Sequence, residues 1–168
     1  MKVIRDFRPT VIVTFDQTGG YGHPDHLAIH RWTTRAFHEA GDPTCYPDAG
    51  PAFAPGRLYY SAIPRSGILR LQEYLKKTGA QSVFSGMDAS KMGMPDEMIT
   101  NRINVKDYVQ IKRKSMSEHK TQINPNGPFA KTPEADWNEW RSTEYFAYVA
   151  GTPIPAGSDS GDLFAGLR

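Results

Sequence analysis

The sequence predicts an α/β domain built on a mainly parallel sheet with flanking helices, and three observations carry that prediction. Val11-Ile12-Val13-Thr14-Phe15 is an unbroken apolar, β-branched run, the pattern of a strand covered on both faces. A glycine-bearing loop, Asp16 to Gly22, follows it directly. Pro24 to about Ala40 then reads as a helix, with Leu27, Ile29, Trp32 and Phe37 available to a core and Gly41 as its stop.

The remaining elements follow in order. Val3, Ile4 and Phe7 have helical spacing until Arg8-Pro9 ends it, so the chain opens on the last turns of a helix too short to stand alone. The strand at residues 11–15 reads as central, yet nothing upstream can pair with it. The opening therefore reads as truncated, and an uncovered central strand invites self-association into a homo-oligomer. Gly41 to Arg57 is a proline- and glycine-rich loop. Leu58 to Ile63 is a second strand and Ser66 to Lys77 a helix, with Ile68, Leu69, Leu71 and Leu75 apolar. Ser85 to Pro95 is irregular. Ile99 to Val105 is a third strand, Lys106 to about Gln122 a long amphipathic helix, and Tyr145 to Ala150 a fourth strand. One domain thus spans residues 1–150, and the glycine-, proline- and serine-bearing segment 151–168 reads as a mobile tail.

Composition narrows the function classes. Of 168 residues, 39% are hydrophobic and 23% charged, which is globular rather than disordered. Twenty basic and 18 acidic residues leave a net charge of +2, too balanced to point to nucleic acid. The single cysteine, Cys45, excludes a disulfide framework and a multi-cysteine zinc site. No apolar run is long enough to span a bilayer, and charges interrupt the first residues where a signal peptide would need an apolar stretch. A cytoplasmic protein is expected.

The stretch that carries chemistry is Gly19-Gly20-Tyr21-Gly22-His23-Pro24-Asp25-His26, between the first strand and its helix. Ligands collect at the carboxyl ends of such strands. Proline favours the first helical position, so His23 becomes the N-cap and Asp25 and His26 fall in the first turn. The positive end of the helix dipole favours the Asp25 carboxylate and a neutral imidazole, the form a metal needs. His23 and His26, three residues apart, reach the same side of the helix mouth. On these residues alone a metal-dependent hydrolase or phosphodiesterase stays open.

The segment from Arg8-Pro9-Thr10 through this turn resembles the second signature of PIG-L/LmbE-type deacetylases, which remove acetyl groups from N-acetylglucosaminyl conjugates or cleave other amides. The similarity continues at Ala40-Gly41-Asp42-Pro43, Arg57-Leu58-Tyr59-Tyr60, Glu97-Met98-Ile99-Thr100, Lys112 and His119-Lys120-Thr121-Gln122. The resemblance implies a Rossmann-like three-layer fold that usually binds zinc and sometimes iron, acting on a small N-acetylated sugar conjugate. It implies that His26 is a metal ligand. It implies that His23 steadies the tetrahedral intermediate and serves as acid, that Asp25 tunes His23, and that Tyr21 is a mobile tyrosine near the oxyanion. The family's other signature, Ala-His-Pro-Asp-Asp, supplies the remaining two ligands and the general base, and it is absent from this sequence. A non-catalytic module using the same cleft is therefore the rival reading.

Other residues are set aside. His30 has helical metal-pair spacing from His26 but reads as packed one turn deeper. Lys112-Arg113-Lys114 reads as a solvated face with Asp107 and Glu118, with a structural role for Lys112. His119 and Gln122 read as buttressing the helix end. Met87, Met92, Met94 and Met98 suggest a flexible apolar loop near the substrate mouth. Trp137, Trp140, Tyr145 and Phe146 offer sugar stacking, with core packing the default. Cys45 has no nucleophile motif around it.

Overall fold

The computed structural model describes residues 1–79, 88–123 and 132–168. Met87 and the start of the irregular segment at Ser85 lie outside them. The described elements run α1 (Lys2–Phe7), β1 (Val11–Phe15), a single turn α2 (Gly19–Gly22), α3 (Pro24–Glu39), β2 (Arg57–Ala62), α4 (Arg65–Thr78), β3 (Asn101–Asn104), α5 (Val109–Ser117), α6 (Glu134–Arg141) and β4 (Thr143–Gly151).

The sheet has the order β1-β2-β4-β3. β1 and β2 are parallel, with Val11 opposite Arg57 and Phe15 opposite Ser61. β4 pairs antiparallel with both β2 and β3. The expected mainly parallel sheet is thus corrected to a mixed one. The physical reason is that a short apolar run reads alike in a parallel strand and in an antiparallel strand covered on both faces. β1 is also an edge of the described sheet rather than its centre, and Val13 is 44% exposed. Ile29 and Trp32 of α3, expected in the core, are 47% and 64% exposed.

Two small cores hold the sheet. Ile12, Phe37 and Leu58 pack together, with Ile4, Tyr60 and Val149 around them. Met94, Ile99 and Ala147 form the second, with Tyr60, Ala62 and Tyr145 against it. Tyr60 touches both and joins them.

Two buried arginines organise what the sheet does not. Arg5 of α1 donates to the carbonyls of Ala40, Tyr46, Gly50, Asp42 and Cys45, gathering the loop after α3. Arg57 of β2, fully buried, donates to the carbonyls of Thr152, Pro153, Leu163 and Ala165 and to the Tyr59 hydroxyl. Ser160 accepts from the backbone N–H of Arg102 and the side chain of Asn101. Segment 151–168 therefore lies against β2 and β3.

The long helix expected over Lys106–Gln122 is shorter. Lys106–Tyr108 is a 3₁₀ turn and α5 stops at Ser117. The Ser117 hydroxyl donates to the Lys114 carbonyl, and the His119 ring bonds the Ser115 carbonyl at 3.2 Å. Side chains that take helix carbonyls in this way compete with further turns. His119 buttresses the helix end, as its place in the sequence suggests. Lys112 ties α5 to the next two elements, donating to the Arg141 carbonyl and pairing with Glu144, both at 3.0 Å.

Candidate active site at the start of α3

Asp16 ends β1 and builds the turn. One carboxylate oxygen, Oδ1, accepts from the backbone N–H of Thr18 (3.0 Å), the Thr18 hydroxyl (2.7 Å) and the backbone N–H of Gly20 (3.2 Å). Gly19 sits at φ 62°, and a Cβ there would lie 2.9 Å from the Cβ of His26. Only glycine meets both demands. Its carbonyl is thereby aimed at His26.

α3 begins as Pro24 dictates. Pro24 opens it, and His23 is the N-cap in extended conformation. The His23 Nδ1 accepts the Asp25 backbone N–H at 3.2 Å. An amide N–H only donates, so His23 Nδ1 is bare and its neutral ring carries the proton on Nε2. His26 is the reverse. Its Nδ1 lies 3.0 Å from the Gly19 carbonyl oxygen, which only accepts, so Nδ1 carries the proton and Nε2 presents a lone pair. Two histidines on one turn thus show opposite faces, a donor at His23 and an acceptor at His26.

The rings converge. His23 and His26 have centroids 5.3 Å apart, and Tyr21 meets His26 edge-on at 5.0 Å and His23 at 6.1 Å. Phe15 stacks on His26 at 4.1 Å, fixing its plane. Tyr21 is 55% exposed between two positive-φ glycines, Gly20 and Gly22. The Asp25 carboxylate stands 3.9 Å from His23 Nδ1, beyond a hydrogen bond, so its backbone amide makes the direct contact. His30 lies deeper: its Nδ1 bonds the Phe15 carbonyl at 2.9 Å and its ring packs edge-on to Tyr60. Partial burial and the nearby Asp42 carboxylate push the Cys45 thiol up, away from nucleophile chemistry.

The His26 geometry suits a metal ligand, because an imidazole that gives its other N–H to a backbone carbonyl has its coordinating nitrogen fixed in direction. A full ligand set is another matter. Among the described residues no group of three or more His, Cys, Asp or Glu side chains is placed to hold an ion. A catalytic zinc needs about three protein ligands. His26 therefore has the geometry of a ligand without a complete set around it among the described residues.

A cavity of about 640 Å³ opens beside the turn, with Gly20 and Tyr21 in its wall. It runs across the carboxyl end of β2 to α4 and α6, and Met92, Trp137, Trp140, Tyr145 and Phe146 all line it. Sequence reasoning missed Asp16. An aspartate two residues before a threonine and three before a glycine pair is the signal of a side-chain-closed turn.

Residues 1–37, which hold the whole turn, match the protein family described as "PIG-L: GlcNAc-PI de-N-acetylase". The chain is similar to that family over this stretch. Beyond that match, 99% of it is similar to 1D-myo-inositol 2-acetamido-2-deoxy-alpha-D-glucopyranoside deacetylases. It is 37% identical to the one from Geodermatophilus obscurus over 58% of that protein. Identity is 39% over 57% of the Kribbella flavida protein and 35% over 60% of one from Frankia alni. The chain thus spans a little under two thirds of the relatives it matches. Among the described residues, no helix is long and apolar enough to cross a membrane.

Proposed function

We propose that this chain carries the acid and oxyanion half of a metal-dependent de-N-acetylase acting on an N-acetylglucosamine-like conjugate. The observation that carries the reading is the pair of opposite Nδ1 contacts, an amide N–H at His23 and a carbonyl at His26, from which an Nε2–H donor beside an Nε2 acceptor follows. The names of the relatives support the reaction class.

The chain's own residues divide the work. His26 gives one ligand to zinc, or to iron in its place, with the remaining donors drawn from outside the described residues. A metal held there would supply Lewis-acid polarisation of an amide carbonyl and a lower pKa for bound water. His23 directs its Nε2–H at the oxygen that gains charge as the carbonyl is attacked. With a proton taken from solvent on Nδ1, in place of the contact from the Asp25 amide, His23 gives its Nε2 proton to the leaving amine, the Asp25 carboxylate 3.9 Å away faces the imidazolium, and exchange with solvent returns the ring to its starting tautomer. Tyr21, on its glycine flanks, swings over the same oxygen.

The test is acetate release from a glucosaminyl-inositol N-acetyl conjugate with zinc supplied, beside His23→Gln and His26→Ala. Loss of at least a hundredfold in each is expected. An unchanged rate in either variant sinks the assignment. A second reading, a sugar-binding module without catalysis, is favoured by one observation: among the described residues no group of three or more side chains is placed to hold an ion. It predicts sugar binding with no acetate released.

A further inference from the structure

We propose that His30 is a positioning residue of the site: through Phe15 it sets the plane of the His26 ring, and with it the direction in which His26 Nε2 presents its lone pair. The proposal rests on the reading of His26 as a metal ligand above and adds the residue that aims it.

His26 needs two constraints. Its contact with the Gly19 carbonyl, at 3.0 Å, fixes Nδ1. A hydrogen bond fixes one atom of a ring and tolerates a spread of angles, so it leaves the ring plane, and Nε2 with it, loosely set. Stacking removes that freedom. The Phe15 ring lies 4.1 Å from the His26 ring at an interplanar angle of 11°. The plane of His26 is then only as well defined as the position of Phe15.

His30 holds Phe15 from one turn further along α3. Residues four apart share a face of a helix, so His26 and His30 both look toward the end of β1. His30 Nδ1 lies 2.9 Å from the Phe15 carbonyl oxygen. A carbonyl only accepts, so this Nδ1 carries the proton. Phe15, the last residue of β1, is thus met twice by α3, at its carbonyl by His30 and at its ring by His26. The next residue, Asp16, closes the turn that carries Gly19. Both constraints on His26 therefore start from the same end of β1.

His30 is itself anchored. Its ring meets Tyr60 edge-on at 5.1 Å. Tyr60 stands opposite Thr14 in the sheet, packs against both cores, and has its hydroxyl 3.4 Å from that of Thr34, one turn beyond His30. The line from the core to His26 runs through Tyr60, His30 and Phe15. Histidine suits the middle of that line because it joins a flat face for Tyr60 to an N–H donor close to the backbone. Neither His30 nor Phe15 lines the cavity beside Tyr21, so both act through His26.

The experiment records ¹H–¹³C and ¹H–¹⁵N spectra of the imidazoles in the whole chain, above their titration range, with melting curves to check that each variant is folded. Stacking on Phe15 displaces the ring C–H protons of His26 upfield. Phe15→Leu, which keeps the carbonyl, is expected to abolish the displacement. His30→Leu keeps packing on Tyr60 and removes the donor, and is expected to reduce the displacement to about half or less. His30→Asn keeps a donor and gives up the packing, and is expected to retain it. His38, exposed in the last turn of α3, is the internal reference and should not move. A displacement that survives His30→Leu, or that is lost in His30→Asn and kept in His30→Leu, overturns the proposal. Zinc alone is then titrated into the wild type, where it is expected to shift His26 Nε2 at a lower concentration than His38. His30→Leu is expected to need about threefold more zinc, a part of the roughly tenfold or greater cost of losing a group bonded directly to a ligand. A His26 preference that His30→Leu leaves untouched overturns the proposal alone. No preference for His26 over His38 in the wild type overturns the ligand reading, and the proposal with it.

Discussion

Replacing Asp16 tests whether the turn is what sets the histidines. Three donors converge on one carboxylate oxygen, from Thr18 N–H, Thr18 Oγ and Gly20 N–H, at 3.0, 2.7 and 3.2 Å. Hydrogen bonds to a charged group contribute about 1.5–3 kcal/mol each, and three sharing one oxygen belong at or below the low end. Asp16→Ala should then cost about 3 kcal/mol. Asp16→Asn keeps an Oδ1 in the same place, loses only the charge, and should cost about 1 kcal/mol. The difference of about 2 kcal/mol is roughly a 30-fold change in the folding equilibrium. Urea unfolding measures it. The second readout is the ¹⁵N resonances of the imidazoles above the titration range. In the wild type His26 carries its proton on Nδ1 and His23 on Nε2. Asp16→Ala frees the Gly19 carbonyl and should give His26 a mixture of tautomers, while Asp16→Asn restores the single form. Equal stability of the two variants, or an unchanged His26 spectrum in Asp16→Ala, would refute the claim that the turn fixes the site.

Further outcomes follow from the same geometry. Gly19→Ala places a side chain at φ 62° and 2.9 Å from the His26 Cβ, so a loss of about 2–3 kcal/mol together with the His26 tautomer change is expected in the same two measurements. Arg57→Met removes a buried guanidinium from four carbonyls of segment 151–168; a loss of about 3 kcal/mol or more by thermal unfolding and faster proteolytic cleavage between residues 152 and 166 are expected, and unchanged cleavage counts against the contact. The Thr14 hydroxyl is buried with no hydrogen-bond partner among the described residues, so Thr14→Val should raise stability by about 1 kcal/mol in urea, and a loss would show an unseen partner. Hydrogen bonds from Thr44, Ser90 and Ser66 hold the carboxyls of Asp42, Asp88 and Asp96 below their ordinary value of 3.8. Their contribution is complete above that value and is lost as pH falls below it through the lower folded values, so melting temperature should drop there, and drop less steeply in Asp96→Asn.

The start of α3 was legible because proline constrains its own φ and removes a donor, so His23-Pro24 marks a helix boundary with no help from the rest of the fold. β1 was legible for a similar local reason, since a β-branched run between turn residues leaves little choice, and β2 showed through the apolar and aromatic Leu58-Tyr59-Tyr60 that follows a proline- and glycine-rich loop. The direction of β4 was not, because pairing sense depends on where the chain re-enters the sheet rather than on the strand's own residues. α6 announces itself only faintly, through Pro133 followed by Glu134 and Asp136, and it is one of the walls of the cavity. The roles of Arg5 and Arg57 had no local signature at all. Apart from the Tyr59 hydroxyl on Arg57, their partners are backbone carbonyls between 35 and 108 residues away, and a carbonyl belongs to every residue type.

The turn itself explains why its residues belong together. Asp16 closes the loop, and the closed loop puts Gly19 at a φ that turns its carbonyl toward α3. Absence of a side chain on Gly19 lets His26 come close enough to meet that carbonyl. Pro24 starts the helix one residue after His23, which leaves the His23 ring free to cap it through the Asp25 amide. Each step uses backbone groups whose donor or acceptor character cannot change with pH. The two histidines therefore receive different proton positions from the fold, without any charged neighbour within hydrogen-bond reach. A substitution that kept both imidazoles but shifted this backbone would retain the apparent motif and lose the division of roles.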